Sequence, residues 1–201
     1  MTHPPRVLIH VVRSRAVTER HGFSMIEVLS VIVIIGLLTA IALPKVALSS
    51  YQANAGAQVV SGAFSYAQRQ AISRQADTRV GFDLANNRLR IHEDRNNDNV
   101  IDADERVTFA NLPEGVTFGR GTAAARAMGG EVVTFTRAQG ILPVVIFRRD
   151  GTASEDGGVY LSTIAGLSID RTADVRAVEI TRATGRATWF SYATGAWKER
   201  S

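Results

Sequence analysis

Two patterns of apolar residues divide the chain. From residue 23 to 43 the sequence reads FSMIEVLSVIVIIGLLTAIAL, in which 16 of 21 residues are apolar and Glu27 is the one charge. At about 1.5 Å per residue a helix of this length crosses the ~30 Å hydrocarbon layer of a bilayer. Past Pro44 the pattern changes. Small and apolar residues recur at Ala53, Ala57, Val60, Phe64, Ala67 and Ala71, a 4-3-4-3-4 spacing that marks one face of a helix. Polar residues such as Gln52, Gln58, Gln68 and Arg74 fill the rest of its surface. A mostly alanine stripe predicts close approach of another layer, with structural packing as its role.

From residue 77 the helical period gives way to alternation. Val80, Phe82 and Leu84, then Asn86-Asn87, then Leu89 and Ile91 predict a hairpin, because Asn tolerates the positive φ of a tight turn. Further strands are expected at 107–109, 116–118, 131–135, 144–147, 159–162, 177–181 and 187–192, and the Gly/Ala stretch 119–130 reads as a mobile connection. No second long helix is predicted. One long N-terminal helix followed by many short strands gives an α+β fold, the helix laid on an antiparallel sheet or sandwich.

Composition narrows the function. The 201 residues contain no cysteine, which removes a disulfide framework, a thiolate zinc site and a cysteine nucleophile together. Gly-x-Ser-x-Gly, the phosphate-cradling Gly-rich loop and His-Glu-x-x-His are all missing from the sequence, so no enzyme is indicated. The formal charge of +4 is unevenly spread, with +3 in residues 1–22 and only +1 in residues 23–201. Arg6, Arg13, Arg15 and Arg20 ahead of the apolar run, against a lone Lys45 behind it, orient the N-terminus to the cytoplasm by the positive-inside rule. Ala40-Ile41-Ala42 also reads as a small-x-small secretory cleavage site, although the run is longer than a usual signal core. A signal sequence does not account for Glu27, since an unpaired carboxylate inside a membrane segment costs about 3 kcal/mol or more.

His21-Gly22 followed by Phe23-Ser24-Met25-Ile26-Glu27 resembles the processing site of type IV pilins and type II secretion pseudopilins. The resemblance implies cleavage between Gly22 and Phe23 by a prepilin peptidase and N-methylation of Phe23. It implies also that Glu27 engages the new N-terminal amine of a neighbouring subunit. Gly36 and Pro44 match positions where pilin helices carry Gly and Pro, and Pro44 is expected to kink or locally melt the helix. Phe147-x-x-Asp150-Gly151-Thr152 and Thr184-Gly185-Arg186 then resemble, in order along the chain, elements of the GspH/FimT branch of minor pseudopilins and minor pilins. The implied organisation is a leader (1–22), a transmembrane helix (23–43), its extramembrane continuation (44–76) and a periplasmic β-rich domain (77–201). The implied partners are other major and minor pseudopilins or pilins, the prepilin peptidase and the inner membrane. A type II secretion pseudopilus and a type IV pilus both remain open.

Two further segments carry possible chemistry. Residues 94–105 set Asp94, Asn96, Asp98, the Val100 carbonyl, Asp102 and Glu105 at positions 1, 3, 5, 7, 9 and 12 of the EF-hand calcium pattern, with Asn99 in place of the usual Gly. The flanks, 88–93 and 106–110, read as strands. The segment 93–105 carries a charge of −5, so it is either a calcium loop or a solvated acidic hairpin loop. Near the C-terminus Arg182, Arg186, Lys198 and Arg200 alternate with Trp189, Phe190, Tyr192 and Trp197, a pattern that suits single-stranded DNA or a plain final hairpin. Gly185-Arg186 matches the start of the Gly-Arg-x-Arg element of DNA-binding family members, but Thr188 stands where the second Arg belongs.

Overall fold

The computed structural model describes residues 24–200, with the side chains of residues 40–47 outside the described set. Its contacts divide the chain into two units, residues 1–41 and 42–201. Helix α1 runs from Met25 to Arg74. In the first unit its described side chains, residues 25–39, are exposed throughout.

The second unit is built from two five-stranded antiparallel sheets. The first has the order β3-β2-β1-β6-β5, from strands β1 (Asp77–Asp83), β2 (Arg88–Asp94), β3 (Val107–Asn111), β5 (Arg137–Gln139) and β6 (Leu142–Phe147). The second has the order β10-β9-β8-β7-β4, from β4 (Val116–Phe118), β7 (Gly157–Thr163), β8 (Arg176–Thr181), β9 (Arg186–Ala193) and β10 (Ala196–Arg200). A one-turn helix α2 (Ile164–Ser168) and a 3-10 turn (Thr172–Asp174) link β7 to β8.

Alternation decides which strand faces meet the helix. Val80 pairs with Val145 and Ile91, and Phe82 with Leu89, so one face of the first sheet is apolar. Val159 pairs with Val178 and Phe118 with Leu161, giving the second sheet its own apolar face. Both faces join the α1 stripe in a single core. All six stripe residues from Ala53 to Ala71 are fully buried. Their small size permits the close approach, since a methyl added at Gly56 would stand 2.7 Å from Val116 Cγ1. Phe64 supplies the bulk, with its ring centroid 6.0 Å from Phe82, 6.4 Å from Phe135 and 6.0 Å from Phe147. Phe82 in turn meets Phe118 edge-on at 6.2 Å, joining the two sheets.

Four local expectations are corrected. The β1–β2 connection is a four-residue loop, because Asp83 accepts hydrogen bonds from the Asn86 backbone and side-chain amides and only Asn87 takes a positive φ. Leu84 therefore lies in the turn rather than in β1. Residues 131–135 form no regular strand. They run beside β7 with one bridge, Val133 to Val159, and hydrogen bonds from Thr134 N–H to Gly158 O and Tyr160 N–H to Val132 O. The stretch 119–130, read as mobile, is packed on the outer face of the second sheet. Ala123 is fully buried there, the Arg126 N–H donates to Tyr160 Oη, and Tyr160 Oη donates to Gly129 O. The short β5 and the charged β10 gave no apolar alternation to read.

Candidate functional site

The processing residues Gly22 and Phe23 lie outside the described residues. Glu27 lies in the first turn of α1, exposed, with no hydrogen-bond or ion-pair partner for its carboxylate among the described residues. Its position suits a helix N-terminus, where the dipole favours negative charge. Around it Met25, Ile26, Leu29 and Ile32 are 92, 72, 60 and 64% exposed, a density of bare apolar surface that water alone does not accommodate. Among the described residues no helix is long and apolar enough to cross a membrane. The described side chains of the apolar run stop at Thr39, short of the roughly 20 residues a span requires. Pro44 falls within α1, and the helix continues across it. Its side chain is outside the described set.

At its C-terminal half α1 clasps both sheets. Gln68 Nε2 donates to Gly151 O and to Thr184 O, each at 2.7 Å. The Ala153 N–H donates to Arg182 O at 2.9 Å beside them. The Asp-Gly-Thr turn and the Thr-Gly-Arg turn, far apart in the sequence, are thus one structure bridged by the helix. Gly185 is required there. Its φ is +62°, and a Cβ would stand 2.3 Å from Gly151 O. Gln68 carried no signal in the sequence, because it sits beside the apolar stripe among other exposed glutamines.

The acidic loop folds over the outer face of the first sheet. Residues opposite one another across an antiparallel pair share a face, and Arg79 lies opposite His92 and Ile146. That face is polar yet covered, with Arg79, His92 and Asp94 exposed by 7, 0 and 0%. Arg79 pairs with Asp94. His92 Nε2 lies 2.6 Å from Glu105 Oε2, and Gln139 Nε2 donates to His92 Nδ1 at 3.0 Å. Nδ1 therefore accepts, and Nε2 is the nitrogen that donates to Glu105. Gln139 also donates to Asn99 O and accepts from Arg90, tying β5 to the loop. Burial raises the pKa of Glu105. Hydrogen bonds from Arg95 N–H, His92 and Asp102 N–H outweigh that effect, and the carboxyl is held below its ordinary value.

The six residues at calcium-pattern positions come to lie in one loop. The Asn99 N–H donates to Asp94 Oδ2 at 3.1 Å, the Asp98 N–H to Asn96 Oδ1 at 3.1 Å and the Val100 N–H to Asp98 Oδ1 at 2.7 Å. Asn99 takes φ +68°, the left-handed conformation that the Gly of the pattern supplies elsewhere. Among the described residues no three acid or histidine side chains stand grouped as metal ligands. Beside the loop an open cleft of about 590 Å³ is lined by Arg79, Asn97, Asn99, Arg137 and Arg148, among others.

The four basic C-terminal residues do not gather. Arg182 is in the β8–β9 turn, and Arg186 opens β9 on the face shared with Phe190 and Tyr192. Lys198 and Arg200 lie opposite Ser191 and Trp189, on the other face. The aromatics interleaved with them are engaged. Trp189 packs against the main core, while Trp197 lies 5.0 Å from Tyr192 and donates from Nε1 to Ala124 O at 3.0 Å. The Arg126 guanidinium stacks 3.5 Å from the Phe190 centroid.

Residues 18–43 match the family model described as the Prokaryotic N-terminal methylation motif. No curated protein and no solved structure matches the chain. The motif points to a structural protein of pilin-like or pseudopilin-like type, processed by a prepilin peptidase and assembling with other pilins. It points equally to an N-terminus anchored in the inner membrane.

Proposed function

We propose that the chain is a minor pseudopilin of H type in a type II secretion system. Cleavage between Gly22 and Phe23, with methylation of Phe23, releases a subunit held in the inner membrane by residues 23–43. Its N-terminus is cytoplasmic, its β-rich domain is periplasmic, and it is built in near the tip of a short pseudopilus. The observation that carries the reading is the methylation motif over residues 18–43, followed by Glu27 alone among exposed apolar residues. A lone carboxylate there is costly, and the α-amine of a neighbouring subunit turns it into a pair, which makes docking depend on a second subunit. The meeting of the Asp-Gly-Thr and Thr-Gly-Arg turns on Gln68 gives those two short motifs a joint structural reason.

The experiment is mass spectrometry of the native protein together with an assembly assay. The mature chain should begin at a methylated Phe23, and Glu27→Ala should insert in the membrane yet drop out of cross-links to other subunits. A mature N-terminus after Ala42, or normal cross-linking of the Glu27 variant, ends this reading. Deleting the gene should abolish secretion by the type II route. Intact secretion with lost pili would instead make the chain a FimT/FimU-like minor pilin. Nucleic-acid binding by such a pilin through Arg182, Arg186, Lys198 and Arg200 draws little support from residues split between two sheet faces. A salt-sensitive gel shift lost in Arg186→Ala would restore it.

A further inference from the structure

The loop of residues 94–105 holds more negative charge than its ion pairs neutralise. Arg79 pairs with Asp94, Arg95 with Glu93, and His92 donates to Glu105. Asp98, Asp102 and Asp104 have no ion-pair partner among the described residues. The group standing between Asp98 and Asp102 is the Asn96 amide, whose Nδ2 donates to each at 2.9 Å. A neutral amide between two carboxylates relieves their repulsion far less than a cation does.

A second observation lies at the base of the loop. Asp94 is fully buried, and its Oδ2 accepts from Arg79 and from the Asn99 N–H in the middle of the loop. Its Oδ1 is buried with no hydrogen-bond partner at all. A bare carboxylate oxygen out of reach of water is strongly disfavoured, and a bound ion is among the few arrangements that satisfy one. The bond from Asn99 holds this carboxylate against the loop itself.

We propose that residues 94–105 bind one calcium ion. Asp94 Oδ1 is the ligand at the base, and Asn96 Oδ1, the Asp98 and Asp102 carboxylates and the Val100 carbonyl complete the shell with Glu105 Oε1. Glu105 Oε2 already accepts from His92 and from the Asp102 N–H, whereas Oε1 accepts one bond, from the Arg95 N–H at 2.7 Å, and keeps a lone pair. The donor set is all oxygen and numerous, which suits calcium's six to eight ligands better than the octahedron that magnesium demands. Binding displaces the Asn96 amide from between the two carboxylates and turns both toward the ion. The inference rests on the loop alone and stands whichever filament the chain joins.

The test is calorimetric titration of the full chain in detergent with calcium chloride, alongside thermal unfolding. One ion should bind with a dissociation constant of about 10⁻⁴–10⁻³ M, the range of extracellular calcium modules, and should raise the unfolding temperature reversibly with chelator. Asp98→Ala and Asp102→Ala remove ligands near the surface and should each weaken binding at least about tenfold. Asp104→Asn removes the same charge at a non-ligand position and should change affinity by less than about threefold. Four results would overturn the proposal. They are no binding by folded protein at about 10 mM calcium, equal binding of magnesium, a stabilisation matched by potassium chloride of the same ionic strength, or equal weakening by Asp104→Asn.

Discussion

Replacing Gly185 by alanine strikes the point where two turns and α1 meet. At φ +62° an alanine pays the left-handed penalty, about 1–2 kcal/mol. Its Cβ would also stand 2.3 Å from Gly151 O and 2.5 Å from Gln68 Nε2. Gly151 O cannot give way cheaply, because its turn is closed by hydrogen bonds from Gly151 N–H to Arg148 O and from Arg148 N–H to Thr152 O, each at 2.8 Å. The Gln68 amide is the movable partner and must leave both of its acceptors. Thr184 O is exposed and recovers water, while Gly151 O is half-buried, so that loss is about 1–2 kcal/mol. The total is roughly 2–4 kcal/mol, equivalent to a fall of about 4–16 °C in Tm for a chain of this size. Because the two penalties share the Gln68 amide, Gly185→Ala should cost about 1–2 kcal/mol less in a Gln68→Ala background than in the native one. Urea unfolding of the full chain in detergent, followed by the fluorescence of Trp189 and Trp197, reads all four variants. An unchanged midpoint for Gly185→Ala, or strictly additive effects in the cycle, refutes the clasp.

Phe64→Ala should cost about 3–5 kcal/mol in the same assay, since it empties the space between Phe82, Phe135 and Phe147; a loss below about 1 kcal/mol would mean that the helix is not seated on the sheets as described. Glu105 tests the polar cover. Its pKa is lower in the folded chain than its ordinary 4.5, so its ionised form adds stability above about pH 4.5 that is lost as the pH falls through the lowered value. In Glu105→Gln the unfolding midpoint should therefore change less with pH below about 4.5 than in the native chain, and parallel pH profiles would contradict the hydrogen bonds assigned to this carboxylate.

The helical stripe was legible residue by residue, because a 4-3-4-3-4 spacing has one structural solution and all six positions are buried in it. Val80, Phe82, Leu89 and Ile91 were legible for the same reason with a period of two. Strand β5 was not. Its one buried residue is Gln139, buried for the hydrogen bonds it gives His92 and Asn99 rather than for apolar area. β10 reads Ala-Trp-Lys-Glu-Arg, and its pairing to β9 is carried by backbone groups that the pattern does not report. The EF-hand-like spacing of the acidic loop was visible, whereas the orphaned Asp94 Oδ1 was not, since it depends on Arg79 from another strand. The dispersal of the C-terminal arginines was hidden too, because side-chain alternation had no fixed register until β9 and β10 were paired.

The outer faces explain why one half of the domain was easier to read than the other. On the second sheet the outer cover is apolar and aromatic, with Tyr160, Val175 and Ala177 packed against Ala123, Phe190, Tyr192 and Trp197. Hydrophobic pattern reports such a face. On the first sheet the cover is the acidic loop, and the residues beneath it are Arg79, His92 and Asp94. To a periodicity argument they are solvent-facing positions of half-buried strands. Their burial follows from pairing, each charge meeting a partner supplied from elsewhere, and breaking one such pair leaves the other charge stranded. The free edges differ in the same way from the N-terminal helix. Three of the four edge strands resist strand addition, since β4 and β5 have three residues each and β10 carries Lys198, Glu199 and Arg200, whereas β3 has five residues with Phe109 exposed. Among the described residues the largest run of exposed apolar side chains is on residues 25–38 of α1. Contacts between subunits therefore have their strongest physical incentive along that helix, where Glu27 is the one charge on the described apolar run.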